Sequence, residues 1–328
     1  MKGTAVRIRG KGDVDVLALD DFEVRAPGPG ELLVQVKAAG LNRADLLQRK
    51  GFYPAPPGAP ADVPGLEYAG TVVAVGEDVV SWKLGALVMG IVGGGGMATH
   101  IVVHEREAIR VPAGMGLTEA AAIPEVFVTA YDAFLQAGLA AGELVVVHAV
   151  GSGVGTAAVQ LAATAGAYVV GTSRTADKLT GARALGMHEG IVVEGGRFAD
   201  KLGALAKGRL ADVILDGVGA AYLAENAKAL ATRGRLVVIG LLGGATAEMP
   251  LGDFLRKRLT LIGTVLRTRP LEEKALLAQR FGREVVPQFE RGALKPVIDM
   301  VLPMRDVREA HRRMEQNESF GKIVLAWD

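Results

Sequence analysis

The 328-residue chain contains no cysteine. That excludes disulfides, thiolate zinc sites, iron–sulfur clusters and a cysteine nucleophile together. Long apolar runs are also missing, since none approaches the ~18 residues needed to span a bilayer. The opening stretch MKGTAVRIRGKGDV has no apolar core of the kind a signal peptide needs. Net charge is nearly absent, formally +1, so there is no electrostatic case for a nucleic-acid or membrane partner. What remains is an ordinary globular balance, 50% hydrophobic and 22% charged, which argues against disorder. The expectation is a soluble cytoplasmic protein, long enough for two domains.

Two textures divide the chain. Up to about residue 122 it is turn-rich, with short runs such as ELLVQVKA (Glu31–Ala38) and TVVAVGEDV (Thr71–Val79), which read as strands of a mostly β domain. Gly93–Gly96 reads either as a lid or as a hairpin loop. From about Pro124, Val/Ile/Leu runs alternate with helical segments: ELVVVHAV, GTAAVQLAATAG, AYVVGTS, TADKLTGARALG, ADVILDGVG, RLVVIGLLGG. That alternation predicts a parallel sheet covered on both faces, with right-handed crossovers. PLEEKALLAQRFGREVVPQFERG predicts one long amphipathic helix, after which the texture reverts. The resulting division is 1–123 plus 291–328 for the first domain and 124–290 for the second.

The main motif is VVVHAVGSGVGTAAVQLA. A β-run ends at Val150, and Gly151, Ser152, Gly153, Val154 and Gly155 lead straight into a helix. A helix N-terminus offers unpaired N–H groups and a positive dipole end, and glycine lets a pyrophosphate approach the backbone. The string departs from strict G-x-G-x-x-G, but it occupies the first βα turn of a parallel sheet, where dinucleotides bind. An NAD site usually carries Asp or Glu at the end of the second strand. Here that end reads GTSRTADK, and Ser173, Arg174 and Lys178 offer hydroxyl and cationic donors suited to a 2′-phosphate. The cofactor expected is NADPH.

GLNRADLLQRKGFYPAPPG, PGLEYAGTVVAVG, AAAIPEVFVTAYDAF, HAVGSGVGTAAVQLA, GRLVVIGLLGG and the terminal GKIVL together resemble the medium-chain dehydrogenase/reductase superfamily. Within it the chain is similar to the zinc-free quinone oxidoreductases related to zeta-crystallin, and SGVGTAAVQL to the tumour-suppressor-inducible type. The resemblance implies an α/β fold: a GroES-like β-barrel catalytic domain plus a Rossmann doubly wound parallel sheet. It also implies an active cleft between the domains and a homodimer joined at the Rossmann sheet edge around Arg258–Arg267. Zinc-dependent relatives have a cysteine where this chain has Asn42 and a histidine where it has Leu66, while Glu67 keeps the position of a neighbouring carboxylate. His100 and His104 do not replace those ligands, since i and i+4 in a strand lie about 13 Å apart. No metal site is expected.

By the same resemblance Asn42 and Tyr53 line the site near the nicotinamide. Five prolines between residues 51 and 70 stiffen the loop that carries Tyr53, whose hydroxyl is a candidate donor to the oxygen that gains charge. The bland alternative is that Tyr53 only packs a loop. Thr129, Gly240, Leu241, Leu242, Val265, Leu266, Arg267 and Asn317 match cofactor-contact positions, although Asn317 also reads as a surface helix end. The reaction expected is hydride transfer from NADPH to a quinone. Reduction of an activated C=C bond, in an enal or enoyl thioester, is the enzymatic alternative. A cofactor-binding structural role is the third.

Overall fold

The computed structural model describes all residues, Met1–Asp328, and divides into two compact units. The first comprises Met1–Val128 with Leu266–Asp328, and the second Thr129–Val265.

In chain order the first unit begins with β1 (Lys2–Ile8), β2 (Leu17–Glu23), β3 (Glu31–Gly40), α1 (Arg43–Arg49), β4 (Glu67–Val75), β5 (Leu87–Ile91), β6 (His100–His104), β7 (Ile109–Arg110) and α2 (Leu117–Ala120). Helix α3 (Pro124–Ala137) carries the chain into the second unit. There follow β8 (Leu144–Val147), α4 (Gly153–Thr164), β9 (Tyr168–Ser173), α5 (Ala176–Arg183), β10 (Glu189–Val192), α6 (Ala199–Leu205), β11 (Ala211–Asp216), α7 (Leu223–Ala229), β12 (Leu230–Val238), α8 (Leu251–Lys257) and β13 (Thr260–Gly263). The return to the first unit adds α9 (Leu271–Glu284), α10 (Val286–Glu290), β14 (Ile298–Pro303), α11 (Val307–Gln316) and β15 (Lys322–Ala326).

The first unit is built on a sheet in the order β14-β15-β3-β4-β5-β7, with β6 beside β3 and a separate β1–β2 hairpin. Apart from the parallel β14–β15 pair, its neighbours are antiparallel. Leu32, Val34, Val72 and Val88 fill one part of its core, and Leu41, Leu46, Met304 and Ile323 another. The second unit holds a fully parallel six-stranded sheet in the order β10-β9-β8-β11-β12-β13. Helices cover both faces, so all four residues of β8 are buried, as the unbroken Leu-Val-Val-Val run requires. Strand order reverses direction between β8 and β11, the place where such sheets hold ligands.

The division falls at Val128/Thr129 and Val265/Leu266 rather than 123/124 and 290/291. The second shift is the larger, because α9 and α10 pack on the first unit. Arg106 pairs with Glu272 at 2.7 Å, Lys274 with Glu107 at 2.8 Å, and Phe127 meets Phe289 edge-on at 4.8 Å. The single helix expected there is two, broken around Val285 just before Pro287, which has no N–H to continue the ladder. The β-run expected over Arg258–Arg267 is only β13, since its partner β12 ends at Val238, opposite Gly263.

Candidate active site

In the second unit the glycine turn joins β8 to α4. Ser152 is the N-cap of α4, its hydroxyl accepting from the Gly155 amide at 3.0 Å. The other first-turn amides have no acceptor within the helix and point out from its N-terminus. Gly155 is obligatory: a Cβ there would lie 2.4 Å from the Ala149 carbonyl oxygen. At Gly151 a Cβ would fall 2.5 Å from the Lys178 side chain, so the lysine's alkyl stem lies across the turn. Ser173 is buried at the end of β9 and accepts from the Thr175 amide at 3.2 Å, while Arg174 is exposed beside it. The fold therefore gathers Gly151–Gly155, Ser173, Arg174 and Lys178 at the C-terminal edge of one sheet. Unpaired amides, a close backbone approach and two cations fit the phosphates of a dinucleotide.

A buried chain of hydrogen bonds holds three turns at that edge. The His148 ring meets the Thr172 hydroxyl at 2.9 Å and Asn226 Oδ1 at 2.8 Å. Asn226 donates to Asp216 at 2.9 Å, and Asp216 accepts from the amides of Val218 and Gly219 at 2.6 and 3.1 Å. Burial holds the His148 pKa down, so the ring acts as a neutral connector. Gly240–Leu242 lies against the same turns: the Leu242 amide donates to Gly217 at 3.3 Å, and Leu241 and Leu242 remain exposed. Val265 is exposed, and Thr129 is partly buried on α3.

In the first unit the candidate residues gather around a buried ionic cluster. Lys322 and Glu67, both almost wholly buried, pair at 2.5 Å. The ammonium also donates to the Leu41 carbonyl at 2.9 Å and to Asn42 Oδ1 at 2.7 Å. Asn42 Nδ2 donates to Glu67 at 2.8 Å and to the Gly40 carbonyl at 3.2 Å. Glu67's second oxygen accepts from the Glu125 amide at 2.8 Å. Asp45 accepts from the amides of Asn42 at 2.8 Å and Gly65 at 2.9 Å, and burial pushes its carboxyl up to about 6.

Asn42 is an inner member of this cluster. Both amide protons are committed inside the cluster, so none remains for a substrate oxygen. The zinc-type position does not fit a metal either. Leu66 is buried and apolar, and an ammonium already sits on Glu67. No group of three or more His, Cys, Asp or Glu side chains is arranged to hold a metal ion.

Tyr53 lies on the proline-rich loop, partly buried, with the Arg267 guanidinium 4.7 Å from its ring centre. Its hydroxyl has no hydrogen-bond partner in the protein. Burial and the nearby Glu125 raise its pKa, so the phenol keeps its proton at neutral pH. Arg267 itself is buried. Its side chain donates to the carbonyls of Gly93, Tyr53 and Pro54 and to Gln48 Oε1, at 2.7, 3.1, 3.3 and 2.6 Å. The guanidinium thus staples the Tyr53 loop to the Gly93 turn and to α1. Leu266 beside it is buried. Gly93–Gly96 is a packed turn rather than a lid, because Gly95 and Gly96 donate to Val63 and Gly65 at 2.9 and 3.0 Å. Asn317 ends α11 in the left-handed region (φ 59°), accepts from Arg43 at 2.7 Å and donates to the Glu315 carbonyl at 2.9 Å. Its helix-end reading is the one its side chain supports.

Residues 28–113 match the alcohol dehydrogenase GroES-like domain, and residues 153–281 match the zinc-binding dehydrogenase domain. The quinone oxidoreductase-like protein 2 homolog of Nematostella vectensis is 32% identical over 310 residues, covering 93% of this chain and 84% of that protein. The chain belongs to the medium-chain dehydrogenase/reductase superfamily. Its relatives support a quinone-oxidoreductase-like branch. Two solved structures show the breadth of that superfamily. An NAD-dependent alcohol dehydrogenase is 31% identical with a TM-score of 0.87, covering 99% of this chain and 100% of that one. The CurK enoyl reductase is 27% identical with a TM-score of 0.85, covering 99% of both chains. The fold is thus a GroES-like domain plus a Rossmann-like sheet, and the chain is an oxidoreductase of a family that binds a nicotinamide cofactor.

Glu125, Lys322 and the His148–Asn226–Asp216 chain escaped the sequence reading. Glu125 stands inside AAAIPEVFVTAYDAF and Lys322 inside GKIVL. No local spacing signals a contact between residues 67 and 322.

Proposed function

We propose that this chain is an NADPH-dependent quinone oxidoreductase that transfers hydride to a quinone without a metal. The observation that carries the reading is Lys322 seated on Glu67, which closes the zinc-type position with a fixed ammonium. Without a Lewis acid, an unactivated ketone lacks the polarisation it needs, whereas a quinone is already electrophilic. Placement then supplies much of the rate, and the uncommitted hydroxyl of Tyr53 supplies a donor to the oxygen that gains charge. The glycine turn, Ser173, Arg174 and Lys178 would hold NADPH, which supplies the hydride when bound. Arg267 keeps Tyr53 in place by donating to the carbonyls of Tyr53 and Pro54. Thr129, Gly240–Leu242 and the backbone around Val265 belong to the same proposed cofactor contacts. We place the protein in the cytoplasm as a homodimer acting on a small molecule, with no nucleic-acid or membrane partner. No helix is long and apolar enough to cross a membrane.

Likeness to an enoyl reductase favours a second acceptor class, activated C=C bonds in enals or enoyl thioesters. The test is kcat/KM for a quinone panel and an enal panel, with NADPH, on chelator-treated protein. Higher values with quinones are expected. Higher values with enals would move the assignment to the second class. NADPH binding without oxidation by any acceptor would leave a cofactor-binding structural role.

A further inference from the structure

We propose that Glu125 is the general acid of the reduction, its carboxyl giving a proton to the acceptor as the acceptor is reduced. This rests on the hydride-transfer reading above, for either acceptor class.

The argument begins with three carboxyls and one ammonium in a single cluster. Glu67 and Asp45 are fully buried, yet each is well supplied with donors. Glu67 accepts from Lys322, Asn42 and the Glu125 amide, and Asp45 from two backbone amides. For Asp45 those two amides oppose the upward push of burial. The Glu125 carboxyl has no hydrogen-bond donor within the protein, and it faces the other two. Five groups act on it from five elements: Glu67 of β4, Asp45 of α1, Lys322 of β15, Arg267 ahead of α9, and Tyr53 of the proline-rich loop. Desolvation and the charge of Glu67 come first, and they push the Glu125 carboxyl up to about 8. Lys322 and Arg267 pull the other way without overcoming them. The carboxyl is therefore protonated at neutral pH.

Position makes that proton usable. Glu67, Asp45 and Lys322 are sealed off, with at most 2% of their surface exposed, whereas Glu125 is only partly buried. It is the member of the cluster through which a proton can leave and return. The step balances. A quinone that has accepted a hydride is a hydroquinone monoanion. The Glu125 O–H bond breaks, an O–H bond forms on that anion, and the carboxylate regains a proton from solvent. For an activated alkene the proton goes to the carbon beside the electron-withdrawing group. A group whose pKa lies close to the working pH suits this task.

The decisive variant is Glu125→Gln, which keeps size and removes the proton. Infrared difference spectra of the full-length protein, taken from pH 6 to pH 10, should show a protonated-carboxyl band lost near pH 8 and missing in Glu125→Gln. With NADPH and a para-quinone, wild-type kcat should fall above about pH 8. Glu125→Gln should lose at least ~10-fold in kcat with no such limb, while its NADPH dissociation constant stays unchanged. No titrating band in the wild type overturns the proposal without recourse to activity or to the variant's folding. A variant that keeps wild-type kcat and the same alkaline limb also overturns it and leaves the proposed function intact. A wild type that oxidises NADPH with neither quinones nor enals overturns both.

Discussion

A phenol stabilises developing negative charge only while it keeps its own proton and has no other acceptor. Tyr53 meets both conditions, since its pKa is raised and its hydroxyl is uncommitted. Tyr53→Phe should therefore lower kcat by about 10-fold or more with little change in NADPH affinity. Equal turnover at saturating quinone would return Tyr53 to a packing role. Lys322 offers a sharper test of the cluster. Lys322→Met leaves the buried Glu67 carboxyl without its cation, which should cost about 3–5 kcal/mol in urea unfolding. Adding Glu67→Gln removes the stranded charge and keeps an acceptor for Asn42, so the double variant should recover more than half of that loss. A double variant no more stable than Lys322→Met would show that charge burial is not the cause. The stiff loop that carries Tyr53 was legible because its prolines are local. The commitments of Asn42, Arg267 and Lys322 were not, because their partners stand 25, 219 and 255 positions away.

Elements whose logic is local were read most fully. The β8–α4 turn announces itself through a β-run followed at once by clustered glycines and a helix, and the structure adds Ser152 as the cap and Gly155 as a packing requirement. The α9–α10 break shows the opposite case: amphipathic periodicity runs on past Val285, but Pro287 stops the ladder. The proposed preference for NADPH belongs to this scale, because Ser173, Arg174 and Lys178 share one strand end and the helix after it. A 2′-phosphate bears about two negative charges, and charge-assisted bonds to it are worth roughly 1.5–3 kcal/mol each. After solvent screening, NADPH should still exceed NADH at least ~10-fold in kcat/KM. Arg174→Ala and Lys178→Ala should each shrink that ratio and leave NADH use nearly unchanged. An equal or better wild-type value with NADH would make these cations a solvated face.

At the scale of the whole molecule, the two-texture reading anticipated two units, and the return of the C-terminal segment to the first of them was visible as a change of pattern. Its starting point was not, since only the packing of α9 on β7 assigns that helix. The proposed dimer rests on what the second unit leaves open. Strand β13 ends its sheet, hydrogen-bonded to β12 on one side alone. Being short protects an edge, yet this one has none of the usual inward charges and exposes Leu261 at 44%. Leu251 and Leu255 of α8, at 69% and 82%, and Val265, at 47%, add further exposed apolar surface within the same segment of chain. An apolar edge of this kind is satisfied by a two-fold copy of itself, strand against strand, which places the same residues on both sides. Wild-type protein should therefore sediment as a dimer at micromolar concentration. Leu261→Lys sets two like charges near the two-fold axis and should give a monomer with an unchanged circular dichroism spectrum. A monomeric wild type would remove the dimer, and a Leu261→Lys variant that stays dimeric would move the interface away from β13.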